Sequence, residues 1–179
     1  MVTKTQEKSD GEKIMTELLT GKKTIKFSVP GTPQRKKRVR FGQGRAYTHK
    51  DTVNYQSLVK LFFQARCPAW KPQAGPVILD TVAYFPVPKS RTKWFKEMCE
   101  HNEVPFVKCP DYDNVSKVVA DALNEIAYRD DRQIFDGRSR EFYSNRPRLN
   151  VTLTFYDEIK RPKKPIPSFS AKGEKTPRT

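Results

Sequence analysis

Apolar residues recur along this chain with two different periods, and the switches between them outline its elements. TIKFSVP sets Ile25, Phe27 and Val29 at every second position and stops at Pro30-Gly31, the pattern of a strand entering a turn. From Asp51 the period lengthens: Val53, Tyr55, Leu58, Val59, Leu61, Phe62 and Ala65 form a broad helical stripe. That helix should end by Cys67, because Pro68 cannot continue it. PVILDTVAYFP is nearly unbroken in β-branched and aromatic residues, which predicts a strand covered on both faces. After the turn at PVPKS, TKWFKEMCEHN carries a thin apolar pattern for a short helix. The strongest helical signature follows, with Val115, Val118, Val119, Ala122, Leu123 and Ile126 spaced by threes and fours. RLNVTLTFY then alternates Leu149, Val151, Leu153 and Phe155. RQIFDGRSREFYS before it is expected to pair with it across the SNRP turn, with Gly137 marking a bulge.

The order strand, helix, strand, helix, strand, strand predicts a single α/β (α+β) domain, a mixed β-sheet with helices packed against it. Its expected span is residues 23–158. Residues 1–22 read as a polar extension with a short helix around Glu12 to Leu19, and 159–179 as a disordered basic tail rich in Pro and Lys. Between the first strand and the first long helix, GTPQRKKRVRFGQGRAYTHK reads as a basic loop containing glycines and aromatics. Phe62, Phe85 and Phe155 are expected in the core.

Charge changes the picture more than length does. A formal net charge of +15 and a pI near 9.8 call for a polyanionic partner, DNA or RNA. A membrane is disfavoured: no apolar span is long enough, no basic helix has a clean apolar face, and the N-terminus lacks the apolar run of a secretory signal. Three cysteines, Cys67, Cys99 and Cys109, without C-x-x-C spacing suit a reduced cytoplasm, beside the nucleoid for a DNA partner. His49 and His101 stand far apart, so hydrolytic chemistry has to run on carboxylates, with no organic cofactor implied.

The carboxylates are gathered in one place. CPDYDNVSKVVADALNEIAYRDDRQI holds Asp111, Asp113, Asp121, Glu125, Asp130 and Asp131, and crowded acids resist ionising unless a cation sits among them. Helical geometry puts Asp113, Lys117 and Asp121 one turn apart on the polar side. Asp111 and Asp113, as D-x-D, suit a hard cation such as Mg²⁺ or Mn²⁺. Equally, Asp113 or Asn114 can cap the helix, and Asp121 can pair with Lys117 for only ~0.3–0.5 kcal/mol. Asp130-Asp131 also fits an ordinary polar connector. Because Asp131 follows the end of the helix, only tertiary packing can carry it to Asp111.

A second cluster is cationic. Arg35, Lys36, Lys37, Arg38, Arg40 and Arg45 suit phosphate contact, Gly42 and Gly44 permit close approach, and Phe41 or Tyr47 can stack on an unpaired base. The same run is also what a solvated basic loop looks like.

PDYDNVSKVVADALNEIAYRDDRQI closely resembles the signature of the RusA-type Holliday junction resolvases: P-D-x-D-N-(aliphatic)-x-K, then D-A-L-N, an aromatic, and D-D-x-Q-(aliphatic). FSVPGTPQRKKRVRF, GRAYTHKDTVNYQSLV, AYFPVPKS and YSNRPRLNVTLTF resemble further segments in family order, so the likeness covers roughly residues 24–157. One departure is Asn124-Glu125, where relatives often carry Asn-Gly. The resemblance implies metal-coordinating and catalytic roles for Asp111, Asp113 and Asp131, with Lys117 as an accessory catalytic residue. It further implies a Mg²⁺-dependent endonuclease, acting on branched DNA as a homodimer and leaving 5′-phosphate and 3′-hydroxyl ends. Two other readings compete: a catalytically silent nucleic-acid-binding module, and a basic RNA-packaging protein.

Overall fold

A computed structural model of the chain describes residues 19–36, 40–42, 45–100, 104–107 and 113–157. Strand β1 (Lys23–Pro30) buries Ile25, Phe27 and Val29 and exposes the residues between them, as period-two patterning requires. Gly31 takes φ 93 directly afterwards and its N–H donates to Pro147 O, so the turn is built on a conformation glycine tolerates. The basic segment is more ordered than a loop: β2 (Arg40–Gly42) and β3 (Arg45–Tyr47) pair antiparallel as a separate small sheet.

Helix α1 (Lys50–Arg66) starts beside His49, whose ring nitrogen accepts from the Asp51 N–H, and ends where Cys67 N–H bonds Phe63 O. Its buried row is Thr52, Tyr55, Val59 and Phe63. Val53 and Leu61, expected in the stripe, are 45% and 60% exposed. Apolar residues occur on both flanks of this helix, so the broad stripe contained two phases and packing selected the one through Phe63.

Strand β4 (Val77–Pro86) alternates buried and half-buried residues, so a single face lies under the helices. The expectation of cover on both faces fails for a visible reason. Opposite the core, Arg140 pairs with Asp80 at 2.8 Å, Arg148 lies 3.7 Å over the Tyr84 ring, and Tyr84 stacks on Phe142. Side chains of the sheet itself dress that face. Helix α2 (Lys93–Glu100) packs on β5 through its buried Cys99, and α3 (Asn114–Leu123) buries Val115, Val118, Val119, Ala122 and Leu123 against α1 and the sheet.

The four-stranded sheet runs β1-β6-β4-β5. Here β5 (Ile134–Ser144) is parallel to β4, while β6 (Arg148–Phe155) is antiparallel to both β4 and β1. The expected hairpin of β5 with β6 is therefore absent. Residues 145–147 cross the end of β4 instead, a step of about 10 Å that three extended residues can span. The bulge also moves: Val77 faces Ile134 and Ile78 faces Asp136, so Phe135 is the extra residue and Gly137 sits in register with Leu79. The core joins Phe27, Phe63 and Phe155 with the α3 valines, Phe85 is buried with them, and Phe62 packs at the edge. The short helix expected around Glu12 falls almost wholly outside the described residues, as does the C-terminal tail.

Candidate metal and nucleic-acid site

Asp113 occupies the N-cap position of α3 with φ −88 and ψ −9, and its side chain makes no capping hydrogen bond. The backbone starts the helix by itself, with Lys117 N–H bonding Asp113 O at 2.9 Å. The capping role open to this acid on sequence grounds is thus not the one it plays. Its carboxylate meets Lys117 Nζ at 2.7 Å, with about half of each side chain exposed. A pair so exposed is worth under about 1 kcal/mol, so a metal or a phosphate can compete for either partner. Asp121, the acid one turn further along, accepts from more distant parts of the chain: from Lys36 Nζ at 2.6 Å and from Gln56 at 3.5 Å.

Beyond α3 the chain reverses through Glu125, which takes φ 62, a left-handed conformation that suits glycine. This is the position where the sequence departs from the Asn-Gly of its relatives. Tyr128 is then fully buried and donates its hydroxyl to Ala120 O at 2.8 Å. Burial first, then the charges of Asp131 and Asp121, hold that hydroxyl's pKa far above the ordinary tyrosine value. Asp130 caps the short 3-10 turn Asp131–Gln133 in a reciprocal box with Gln133, and Arg132 grips its carboxylate with two nitrogens. Those hydrogen bonds hold Asp130 well below the usual carboxylate range. Gln133 also donates to Gln73 O and Gly75 O at 3.0 and 2.7 Å, tying the turn to the start of β4. Of the two adjacent acids, Asp130 serves the turn, and the charge of Asp131 acts on the Tyr128 hydroxyl.

Asp113 starts α3, and Asp131 opens the 3-10 turn that follows it in the chain. The charges of Asp121 and Asp131 both act on the Tyr128 hydroxyl. Among the described residues no group of three His, Cys, Asp or Glu is placed to hold a metal. Asp111 lies outside the described residues, as do Lys37 and Arg38, and only the backbone of Arg40 and Arg45 is described. The donor chemistry nevertheless fits a hard cation: the available ligands are carboxylate oxygens, and that of Asp113 is exposed and not consumed by capping.

The basic arm is fastened to this helix start. Lys36 N–H donates to Asn114 O at 3.2 Å, immediately after Asp113 in sequence. Arg35, expected among the phosphate contacts, has a different setting. Its Nη2 meets Glu141 Oε2 at 2.5 Å, and its guanidinium lies 4.7 Å over Phe85 and 4.9 Å over Phe106. The Glu141 side chain is only 8% exposed, and burial raises its pKa despite the pull of Arg35. Sequence reasoning missed Glu141 and Phe106. The available signal was a lone acid inside a strand, Arg140-Glu141-Phe142.

Comparison with known proteins follows the same span. The family model described as Endodeoxyribonuclease RusA matches residues 29–154. The chain is also similar to the uncharacterized protein YqaN of Bacillus subtilis (strain 168), 34% identical over 134 residues that cover 72% of this chain and 94% of that protein. Among the described residues, no helix is long and apolar enough to cross a membrane.

Proposed function

Because the chain belongs to the RusA family of endodeoxyribonucleases, we propose that it resolves four-way DNA junctions by paired symmetrical nicks, with Mg²⁺ as cofactor and Mn²⁺ as a substitute. The observation that supports this reading is the bond from Lys36 N–H to Asn114 O, which brings Lys36 beside a half-exposed, uncapped Asp113. That bond supports joining a phosphate-binding cation and a carboxylate suited to a metal in one site.

Asp111, Asp113 and Asp131 are the residues assigned to the metal, which supplies charge neutralisation at the phosphoryl oxygens and a more acidic water. Lys117, 2.7 Å from Asp113, holds the scissile phosphate or the attacking water. Lys36, Lys37, Arg38, Arg40 and Arg45 bind backbone phosphates on either side of the branch. Water adds at phosphorus and the P–O3′ bond breaks, leaving a 5′-phosphate and a 3′-hydroxyl. A junction has two-fold symmetry, and a homodimer with one site per protomer matches it.

One other reading is a nucleic-acid-binding module without catalysis, since among the described residues no three His, Cys, Asp or Glu are placed to hold a metal. A synthetic four-way junction, a flap and a linear duplex, each incubated with Mg²⁺ or with chelator, separate the two. Symmetrical nicking of the junction only with metal supports the nuclease; retention of the junction without cleavage under every metal tested supports the binder. Asp113→Asn should abolish cleavage and leave junction binding within about threefold, since a carboxylate adds nothing to phosphate attraction. An unchanged cleavage rate would remove Asp113 from the site.

A further inference from the structure

We propose that Arg35 is a positioning residue rather than a DNA contact: its buried pair with Glu141 sets the angle at which the basic arm meets the start of α3. Three stretches of chain converge on this pair. Residues 31–36 bring Arg35, β5 brings Glu141, and residues 104–107, which lead toward Asp111, bring Phe106. Phe106 N–H donates to Glu141 O and Tyr143 N–H to Val104 O, both at 2.9 Å, so residues 104–107 run along the outer edge of β5. Phe85 and Phe106 stack with ring centres 4.3 Å apart, and both rings lie against the guanidinium.

Folding alone does not call for charge here. A largely buried ion pair does little better than an apolar pair of the same shape, and among the described residues this part-buried one leaves Arg35 Nε and Glu141 Oε1 without a hydrogen-bond partner. What the pair adds is direction. The planar guanidinium, lying against two stacked rings and bonded on one side, fixes the backbone at residue 35. The neighbouring Lys36 is then secured twice, by N–H to Asn114 O and by Nζ to Asp121. The orientation of Arg35 therefore passes through one peptide unit to the first turn of α3, where Asp113 and Lys117 stand.

The catalytic arm of the test rests on the nuclease reading, and the other two arms do not. Arg35→Met keeps the stem's volume, and Arg35→Met combined with Glu141→Gln avoids stranding a buried acid if the single variant folds poorly. In the full-length protein, both should raise amide exchange at Lys36 and Phe106 by about tenfold, equivalent to roughly 1.4 kcal/mol of lost protection. Junction affinity should keep its salt dependence, because no phosphate contact is removed. Single-turnover cleavage should fall by about tenfold at saturating protein, a loss in rate rather than in binding. A salt slope reduced by about one would make Arg35 a direct phosphate contact and overturn the proposal. Unaltered exchange at Lys36 and Phe106 would overturn it too, as would undiminished cleavage in a protein that cleaves. If the wild-type protein cuts nothing, the nuclease reading fails while exchange and salt dependence still decide the role of Arg35.

Discussion

Tyr55 and Tyr128 show how much a single hydroxyl depends on where it ends. Both rings are buried, and burial is the main cause raising both pKa values. Tyr128 donates to Ala120 O, whereas the Tyr55 hydroxyl is buried with no hydrogen-bond partner among the described residues. Removing a satisfied hydroxyl loses a hydrogen bond, here one of two that Ala120 O accepts, the other coming from Asn124 N–H; removing an unsatisfied one relieves a desolvated dipole. Tyr128→Phe should therefore lower unfolding stability by about 1 kcal/mol, and Tyr55→Phe should leave it unchanged or raise it by up to about 1 kcal/mol. Urea titrations of both variants check the contrast, and equal losses would show that the two hydroxyls are equivalent. At this scale the sequence was legible for residue types but not for their partners. Lys117 and Asp121 are one helical turn apart and looked like a pair, yet Asp121 is held by Lys36, from the far side of α1 in the chain.

Elements follow their patterns where only one neighbour is needed. The alternations of Ile25–Val29 and Leu149–Phe155 became β1 and β6 with the expected inward residues. The two glycines near β4 and β5 behave differently, and both can be tested. A Cβ on Gly75 would collide with the Tyr156 carbonyl oxygen, a backbone atom that cannot step aside, and the Gly75 carbonyl also receives Gln133. Gly75→Ala should cost about 1–3 kcal/mol or more through overpacking and loosen the turn that carries Asp131. Gly137 faces open space, so Gly137→Ala should be tolerated and can gain about 0.5–1 kcal/mol by restricting the unfolded chain. Thermal unfolding of the two variants should rank them on opposite sides of the parent protein. If Gly137→Ala is the more damaging, β5 does not pair with β4 in the register that sets Gly137 opposite Leu79.

For the whole molecule, what matters is which edges are brought together. Anchoring the arm at Asn114 brings Lys36 to the start of α3, next to Asp113 in the chain. Paired nicking also requires two sites acting on one junction. On the proposed resolvase reading, mixed dimers of the parent chain with Asp113→Asn should nick a junction once, giving singly nicked products in place of the two symmetrical cuts proposed for the parent. Gel analysis of a junction labelled on both target strands reads this directly. Paired cuts from isolated mixed dimers would show that the two nicks do not require an Asp113 in each protomer.

Sequence alone determined the local terms of this protein: where apolar periodicity makes strand or helix, where proline stops α1, and that acids collect around α3 while cations collect before α1. Those features depend on residues within a few turns of one another, so they are written in the order of the chain. The resemblance carried the family as well, and it marked Glu125 as a place where glycine is the usual choice. Only the tertiary structure decided that β6 passes beyond β4 to pair with β1, that the Arg35 guanidinium is spent on Glu141, and that Lys36 reaches both Asn114 and Asp121. Each of these is a competition among distant partners, decided by which surfaces can be buried together and which charges can be satisfied at the same time.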